Sequence, residues 1–113
     1  MDEISILQIN LRKSSTANYT AIAFALTNKI DILLVQDPHI SKNKLTYLPL
    51  AYSTYFSNSF TSGIVILNTK MTHIKTISFE NSVFVNVFFK EKNVIFGSQY
   101  IAPSQNLDYD LQQ

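Results

Sequence analysis

Cysteine is absent from this chain of 113 residues, and glycine and proline occur only two and three times. Without cysteine the chain has no disulfide framework, no thiolate metal ligand and no cysteine nucleophile, and it does not need an oxidising compartment. An excess of one charge is also missing, because nine Lys and Arg stand against eight Asp and Glu and leave a net charge of +1. The chain as a whole therefore has no field that would attract nucleic acid or an anionic membrane.

Long apolar runs are missing as well. The longest of them, such as residues 30–35, fall far below the roughly 20 residues that a membrane-spanning helix needs. The chain begins Met1-Asp2-Glu3, where a signal peptide needs basic residues. We therefore expect an intracellular chain with no membrane segment.

The residues that are present favour one packed domain. The chain is 46% hydrophobic, 12% aromatic and 15% charged, which is not the composition of a disordered tail. A chain of this length can bury roughly two thirds of its unfolded surface. Its last residues, 106–113, form an unfinished helical pattern. We expect a single domain over residues 1–113 that is a truncated piece of something larger.

A strand, a helix and a second strand are predicted first. Apolar residues alternate over residues 4–10, which predicts a strand, and the hydroxyls of residues 14–16 can cap a following helix. The aliphatic run at residues 30–35 predicts a strand that is buried on both faces and ends before Pro38. The helix is expected to bury the apolar residues that recur every three or four positions, Tyr19, Ile22, Ala23 and Leu26. Such a crossover makes the two strands parallel, so their carboxyl ends meet at one sheet edge.

Antiparallel strands are predicted in the rest of the chain. Residues 40–49 are polar without a clear period and predict a surface loop. Short β-rich runs separated by turn-like segments follow at residues 55–60, 63–67, 73–79, 83–89 and 93–101. The clearest hairpin joins residues 83–89 to residues 94–100 through a charged tip at residues 90–93. The predicted fold class is α/β, with a βαβ unit, then antiparallel strands, then the start of a helix.

Three polar residues stand where predicted strands end: Asn10, Asp37 and Tyr100. A carboxylate and an amide at one sheet edge supply hard oxygen ligands of the kind that Mg²⁺ accepts, and a phenol beside them can donate a hydrogen bond to a phosphate oxygen. The same residues also have structural interpretations: Asp37 as part of a turn, Asn10 as a side chain that bonds the next backbone turn, and Tyr100 as a core aromatic. Spacing alone leaves both interpretations open.

Four segments of the chain together carry a resemblance to a known family. They are residues 7–11 (LQINL), 30–38 (IDILLVQDP), 62–66 (SGIVI) and 98–104 (SQYIAPS). In this order and at about this spacing they resemble the endonuclease domain of non-LTR retrotransposons, which belongs to the endonuclease/exonuclease/phosphatase superfamily with the apurinic endonucleases and deoxyribonuclease I. The resemblance spans residues 4–104 and implies the amino-terminal portion of a four-layer α/β sandwich.

The resemblance implies a metal-dependent DNA endonuclease. By position, Asn10 would be a catalytic residue beside the scissile phosphate and a metal ligand, Asp37 would bind the metal, and Tyr100 would contact the phosphate. The implied reaction is hydrolysis of a DNA phosphodiester with Mg²⁺ or Mn²⁺, which nicks the target strand to prime reverse transcription. The implied partner is double-stranded DNA, and the implied location is the nucleus where that DNA is chromosomal.

Two departures from the family pattern bear on activity. Asp37 stands where the family has glutamate and is shorter by one methylene, about 1.5 Å of reach. The family's Asp-x-Asn segment, which positions the nucleophile, and its Ser-Asp-His segment, which supplies the general base, do not occur in the chain. His39 and His73 do not replace that base by position. We therefore leave open whether the chain is an enzyme, and we expect it to be inactive alone.

Other interpretations stay open at this point. The first is a decayed or domesticated remnant that binds nucleic acid or a partner without catalysis. The second is a host apurinic endonuclease, which the short polar loop after Asp37 disfavours. A DNA-facing surface is also conceivable, but its residues are sparse and the net charge does not support it, so a solvated face is preferred. The residues are Lys42, Lys44, Lys70, Tyr47, Tyr52 and Tyr55.

A further expectation concerns the sheets. The family pairs two sheets face to face, and we expect the second half of this arrangement to be missing from the chain. An apolar sheet face left open in this way would favour self-association.

Overall fold

The structure, a computed structural model, describes residues 3–101. It begins with the strand β1 (Ile6–Asn10), the helix α1 (Ser15–Thr27) and the strand β2 (Ile32–Gln36). The two strands are parallel neighbours, and Asn10 is in register with Gln36. The predicted βαβ unit is confirmed. The helical pattern at residues 106–113 lies outside the described residues.

The helix α1 begins where the sequence predicts it. The Ser14 hydroxyl accepts a hydrogen bond from the Ala17 N–H (3.1 Å), which satisfies one of the free donors of the first turn. At the other end, the Asn28 side chain donates to the Phe24 carbonyl (2.8 Å). The helix therefore has a side-chain hydrogen bond at each end.

The predicted buried face of α1 is largely wrong. The buried residues are Asn18, Ala21, Ile22 and Ala25. Tyr19 is instead 60% exposed and contacts Tyr47 edge to face, with ring centroids 5.7 Å apart. The small side chains of the two buried alanines let the helix lie close to the sheet, which the bulkier aromatic positions would prevent.

The first sheet adds β5 (Ser53–Phe56) and β6 (Ser62–Ile66) to β1 and β2, in the order β1-β2-β6-β5. The strand β6 runs antiparallel to β2 on one side and to β5 on the other. Every residue of β2 and β6 is buried, because α1 covers one face of these central strands and a second sheet covers the other. The predicted two-sided burial of the second strand is confirmed.

A short hairpin replaces part of the loop that we expected at residues 40–49. It consists of β3 (Ile40–Ser41) and β4 (Lys44–Leu45). Its two turn residues, Lys42 and Asn43, have positive φ angles of 53° and 62°, as a two-residue type I′ turn requires. Leu45 is buried in the core beneath α1, which holds the hairpin against the domain.

The second sheet is an antiparallel meander of β7 (Thr72–Ser78), β8 (Ser82–Phe89) and β9 (Lys92–Gln99). The turn between β8 and β9 contains only Lys90 and Glu91, both with positive φ. The predicted hairpin is thus confirmed, but its tip is shorter than predicted, because Lys92 already pairs with Phe89.

The two sheets pack face to face, so the inner sheet face that we expected to be open is covered. Side chains that alternate along β8 fill the space between the sheets together with residues of β2 and β6. The buried residues of this core are Ile32, Leu34, Ile64, Ile66, Met71, Val83, Val85 and Val87. The layers of the described chain are therefore helix, sheet and sheet.

Apolar residues remain on the outer face of the second sheet. Ile74, Ile77, Phe88 and Ile95 are between 43% and 61% exposed there. Within residues 3–101, no helix is long and apolar enough to cross a membrane.

Candidate active site

The ends of β1 and β2 form the base of the candidate site. Asn10 is the last residue of β1 and is the register partner of Gln36, which ends β2. The Leu11 N–H donates to the Gln36 carbonyl (2.8 Å), which extends the pairing one residue past the strand end. Asp37 follows immediately, so the structure brings Asn10 and Asp37 to neighbouring positions at one sheet edge.

The backbone of Asp37 is fixed from two sides. Its N–H donates to the Thr61 carbonyl (2.7 Å), and its own carbonyl accepts from the Lys13 N–H (2.7 Å). Its φ is 49°, in the left-handed region that aspartate tolerates better than most residues. Within residues 3–101, the structure contains no hydrogen bond to its half-buried carboxylate. That carboxylate is therefore available to a ligand.

Asn10 is exposed and engaged locally. Its Oδ1 accepts a hydrogen bond from the Arg12 N–H (3.0 Å), the local bond that the structural interpretation of this residue requires. An amide oxygen has two lone pairs, so this bond leaves one of them for a cation. The observed geometry is compatible with both interpretations of Asn10.

Tyr100 follows β9 and is held by its backbone. Its N–H donates to the Asn81 carbonyl (2.9 Å), and its side chain is half-buried. Two residues earlier, the buried Ser98 hydroxyl accepts from Gln36 Nε2 (3.0 Å) and donates to the Val35 carbonyl (3.0 Å). These bonds join the end of β9 to the end of β2, so Tyr100 leaves the second sheet at the edge where Asp37 leaves the first.

Sequence reasoning missed the buried polar residues that join the sheets at this edge. Gln36, Ser62 and Ser98 are all at least 93% buried. The Ser62 hydroxyl lies 3.1 Å from the Ser98 carbonyl and 3.0 Å from the Asn81 carbonyl. The available signal was their position, because they place polar side chains on the inward-facing side of strands that are otherwise apolar.

A cleft of about 330 Å³ opens beside Asp37. It is lined by Lys13, Asp37, Pro38, His39, Ile40, Ser59, Phe60 and Thr61. Among the described residues, no three His, Cys, Asp or Glu side chains come together as a metal cluster. The Asp37 carboxylate and the Asn10 amide are hard oxygen donors, and Mg²⁺ is commonly held by one or two carboxylates with water and substrate phosphate. The donor types therefore fit such an ion, although the protein ligands are few.

Each of the two histidine rings contacts another part of the fold through its Nδ1. His39 Nδ1 lies 2.7 Å from the Thr46 hydroxyl, and the His39 N–H donates to Asn18 Oδ1 (3.1 Å). His73 Nδ1 lies 2.5 Å from the Tyr55 hydroxyl. Burial raises the pKa of that hydroxyl above its ordinary value of 10.0. Both rings thus hold elements of the fold together.

The basic and aromatic residues considered for DNA contact do not form one surface. Tyr55 packs against the core between the sheets, and Tyr52 packs against the core beneath α1. Lys42 and Lys44 are exposed on the β3–β4 hairpin, whereas Lys70 precedes β7 in the second sheet. Of these three lysines, Lys42 and Lys44 belong to the hairpin that comes directly after Asp37 in the sequence.

Comparison with known proteins identifies the fold. No protein-family model and no curated protein matches the chain. The solved structures that it matches show a partial endonuclease/exonuclease/phosphatase-type α/β fold, with a βαβ start followed by antiparallel strands. The predicted fold class is therefore confirmed.

Two solved structures illustrate this similarity. One is the endonuclease domain of TRAS1, a telomere-specific non-LTR retrotransposon, with a TM-score of 0.76 and 20% identity over 97% of this chain and 50% of that chain. The other is humanized D. rerio TDP2 carrying 14 mutations, with a TM-score of 0.67 and 12% identity over 96% of this chain and 52% of that chain. This chain therefore spans about half the length of either structure.

Proposed function

We propose that this chain is the amino-terminal portion of a metal-dependent DNA endonuclease of the non-LTR retrotransposon type, forming one partial domain over residues 1–113. The observation that supports it most is the shared edge at which β1, β2 and β9 end. Asn10 is the last residue of β1, and Asp37 and Tyr100 are the first residues after β2 and β9, on a fold shared with the TRAS1 endonuclease domain.

Each residue has a distinct proposed role. Asp37 and Asn10 would hold Mg²⁺ or Mn²⁺, and the ion would supply charge stabilisation at a DNA phosphate and lower the pKa of a bound water. Tyr100 would donate a hydrogen bond from its phenol to a phosphate oxygen. The 330 Å³ cleft beside Asp37 carries Lys13 on its wall, and a cation there favours an anionic substrate over a neutral one.

The isolated chain is proposed to be inactive. A general base contributes about 10² to 10⁴ in rate, and neither His39 nor His73 stands at the sequence position of the family's general base. The chain also contains neither the Asp-x-Asn nor the Ser-Asp-His segment of the family. Binding of the ion and of DNA is therefore the part of the function proposed for this portion.

A second candidate is a remnant that binds DNA or a partner without catalysis. It is favoured by the small number of metal donors, because within the described residues no acidic or histidine cluster accompanies Asp37. The shorter aspartate in place of glutamate would move the carboxylate about 1.5 Å away from an ion in the family's position. Mg²⁺ holds its ligands at about 2.0–2.1 Å. A carboxylate that lies about 1.5 Å farther away would bind the ion through a water, or only after a shift of the backbone.

Nicking of supercoiled plasmid tests the two candidates. The assay compares this chain with a version extended by the coding sequence that follows it, both with and without Mg²⁺. The endonuclease proposal expects nicking by the extended version only, lost in Asn10→Ala and in Asp37→Asn. A folded extended version that binds plasmid without nicking it would support the remnant instead. Nicking by the 113-residue chain alone would contradict the proposal that this portion is inactive by itself.

A further inference from the structure

Two turns meet beside the candidate site. The first is turn 57–61, between β5 and β6, and the second is turn 79–81, between β7 and β8. The Asn58 N–H donates to the Phe79 carbonyl (2.8 Å), and the Ser59 N–H donates to the Glu80 carbonyl (3.1 Å). Because the first turn belongs to one sheet and the second turn to the other, these bonds join the sheets outside their apolar core.

Each turn holds the backbone of one candidate site residue. The Thr61 carbonyl in the first turn accepts from the Asp37 N–H at 2.7 Å. The Asn81 carbonyl in the second turn accepts from the Tyr100 N–H at 2.9 Å. The position of Asp37 thus depends on Thr61, and the position of Tyr100 depends on Asn81.

A side-chain hydrogen bond connects these two holding residues. The Thr61 hydroxyl donates to Asn81 Oδ1 at 2.7 Å, and the Ser59 hydroxyl lies 3.1 Å from the same oxygen. The path from Asp37 to Tyr100 is therefore continuous: Asp37 N–H to Thr61 carbonyl, Thr61 hydroxyl to Asn81 amide, Asn81 carbonyl to Tyr100 N–H. We propose that Thr61 and Asn81 are a positioning pair that sets the distance between Asp37 and Tyr100.

The exposure of Asn81 indicates that the Thr61–Asn81 bond contributes more to the geometry of the candidate site than to the stability of the fold. Asn81 is exposed, and an exposed hydrogen bond adds little to the free energy of unfolding because water can replace either partner. The bonds through Gln36 and Ser98 already fix the strands to each other. Asp37 and Tyr100 each lie one residue past a strand end, where the last backbone hydrogen bond of the ladder ties the N–H to its turn, and the Thr61–Asn81 bond links these two ladder ends. This inference rests on the proposed function, because it assigns a task to the same edge.

Amide hydrogen exchange of the ¹⁵N-labelled chain tests the pair without any metal. Thr61→Val removes the hydroxyl and keeps the Thr61 carbonyl, whereas Asn81→Ala removes Oδ1 and keeps the Asn81 carbonyl. Coupling across the sheets predicts that Thr61→Val speeds exchange at Tyr100 and that Asn81→Ala speeds exchange at Asp37, each about fivefold. Thr61→Ser keeps a hydroxyl and is expected to restore the native rates.

Ser78 offers a matched control. Its hydroxyl donates to Asn58 Oδ1 (2.8 Å) between the same two parts of the fold, but neither residue bonds Asp37 or Tyr100. Ser78→Ala is expected to leave both exchange rates unchanged. If Thr61→Val and Asn81→Ala each change only the amide bonded to their own carbonyl, or if Ser78→Ala has the same effect, the positioning pair is overturned.

Paramagnetic broadening by Mn²⁺ links the pair to the site. An ion at Asp37 broadens the Tyr100 amide according to their separation, so Asn81→Ala is expected to change the ratio of broadening at Tyr100 to that at Asp37 at least about twofold, with Ser78→Ala unchanged. An unchanged ratio in Asn81→Ala would overturn the proposed role. If Mn²⁺ broadens neither amide in the native chain, the proposed function fails, and the exchange rates alone then decide whether the pair couples the two residues.

Discussion

Removing the Ser98 hydroxyl tests how the two sheets are joined at the candidate site. In Ser98→Ala, Gln36 Nε2 loses its acceptor and the Val35 carbonyl loses a donor, and both groups are buried. A buried polar group left without a partner costs about 1–3 kcal/mol. The variant is therefore expected to lose about 2–4 kcal/mol in the free energy of unfolding. In a domain of this size, that lowers Tm by roughly 8–16 °C.

Thermal and urea unfolding, followed by circular dichroism, measure this loss. Ser78→Ala is the control, because it removes a hydroxyl whose bond to Asn58 is exposed, and it is expected to cost less than about 0.5 kcal/mol. A Ser98→Ala variant as stable as Ser78→Ala would show that the buried network does not join the sheets as described.

A double variant sharpens the same test. Gln36→Leu removes the amide that loses its acceptor in Ser98→Ala, so the two changes together are expected to cost less than their sum by about 1 kcal/mol. Costs that simply add would mean that Gln36 and Ser98 do not interact in solution. The cycle thus separates a lost hydrogen bond from a general loss of packing.

Three other predictions concern Asn18, Tyr55 and Ile95. Asn18 is fully buried and bonds the His39 backbone and the Thr46 carbonyl, so Asn18→Ala is expected to cost about 2–4 kcal/mol in urea unfolding, and a loss below about 0.5 kcal/mol would contradict this. Burial raises the pKa of Tyr55 above 10.0, so its stabilisation is complete below that pH and declines as the pH rises through the folded-state pKa. Tyr55→Phe should therefore flatten the alkaline decline in Tm, and an equally steep decline would refute the assignment. Ile95 is 61% exposed on the outer face of the second sheet, and Ile95→Lys should reduce any concentration-dependent association in sedimentation without lowering Tm by more than about 3 °C.

The strands could be predicted because their signals are local. The alternation at residues 4–10 and the aliphatic run at residues 30–35 both depend on chemistry within a few positions. The Ser14 cap is equally local. The buried face of α1 could not be predicted in the same way, because the two alanines that approach the sheet carry a weaker hydropathy signal than Tyr19, which is exposed.

The turns were harder to predict because the chain makes them without glycine. Lys42 and Asn43 in one hairpin, and Lys90 and Glu91 in another, adopt positive φ angles that usually mark glycine or asparagine. Lysine and glutamate at such positions give the sequence no turn signal beyond their charge. For this reason the sequence predicts a loop where the β3–β4 hairpin lies and a tip that is too long for the β8–β9 hairpin.

The candidate site was predictable in position but not in its surroundings. Asn10 ends β1, and Asp37 and Tyr100 directly follow β2 and β9, strand ends that periodicity locates. Their hydrogen-bond partners, such as Thr61 and Asn81, come from turns more than 18 residues away along the chain. Strand pairing within each sheet brings each turn to its site residue, and the packing of one sheet on the other brings the two turns together. No local sequence pattern records either arrangement.

Titration of the ¹⁵N-labelled chain with Mn²⁺ tests the central claim most directly, since the ion broadens the amides nearest to it. A divalent-ion site at the edge of β1 and β2 predicts that the amides of Asn10 and Asp37 broaden first. It also predicts that Asp37→Asn, which keeps the side chain's shape and removes its charge, abolishes this broadening. Broadening that begins elsewhere, or that persists unchanged in Asp37→Asn, would contradict the claim that this edge binds the metal.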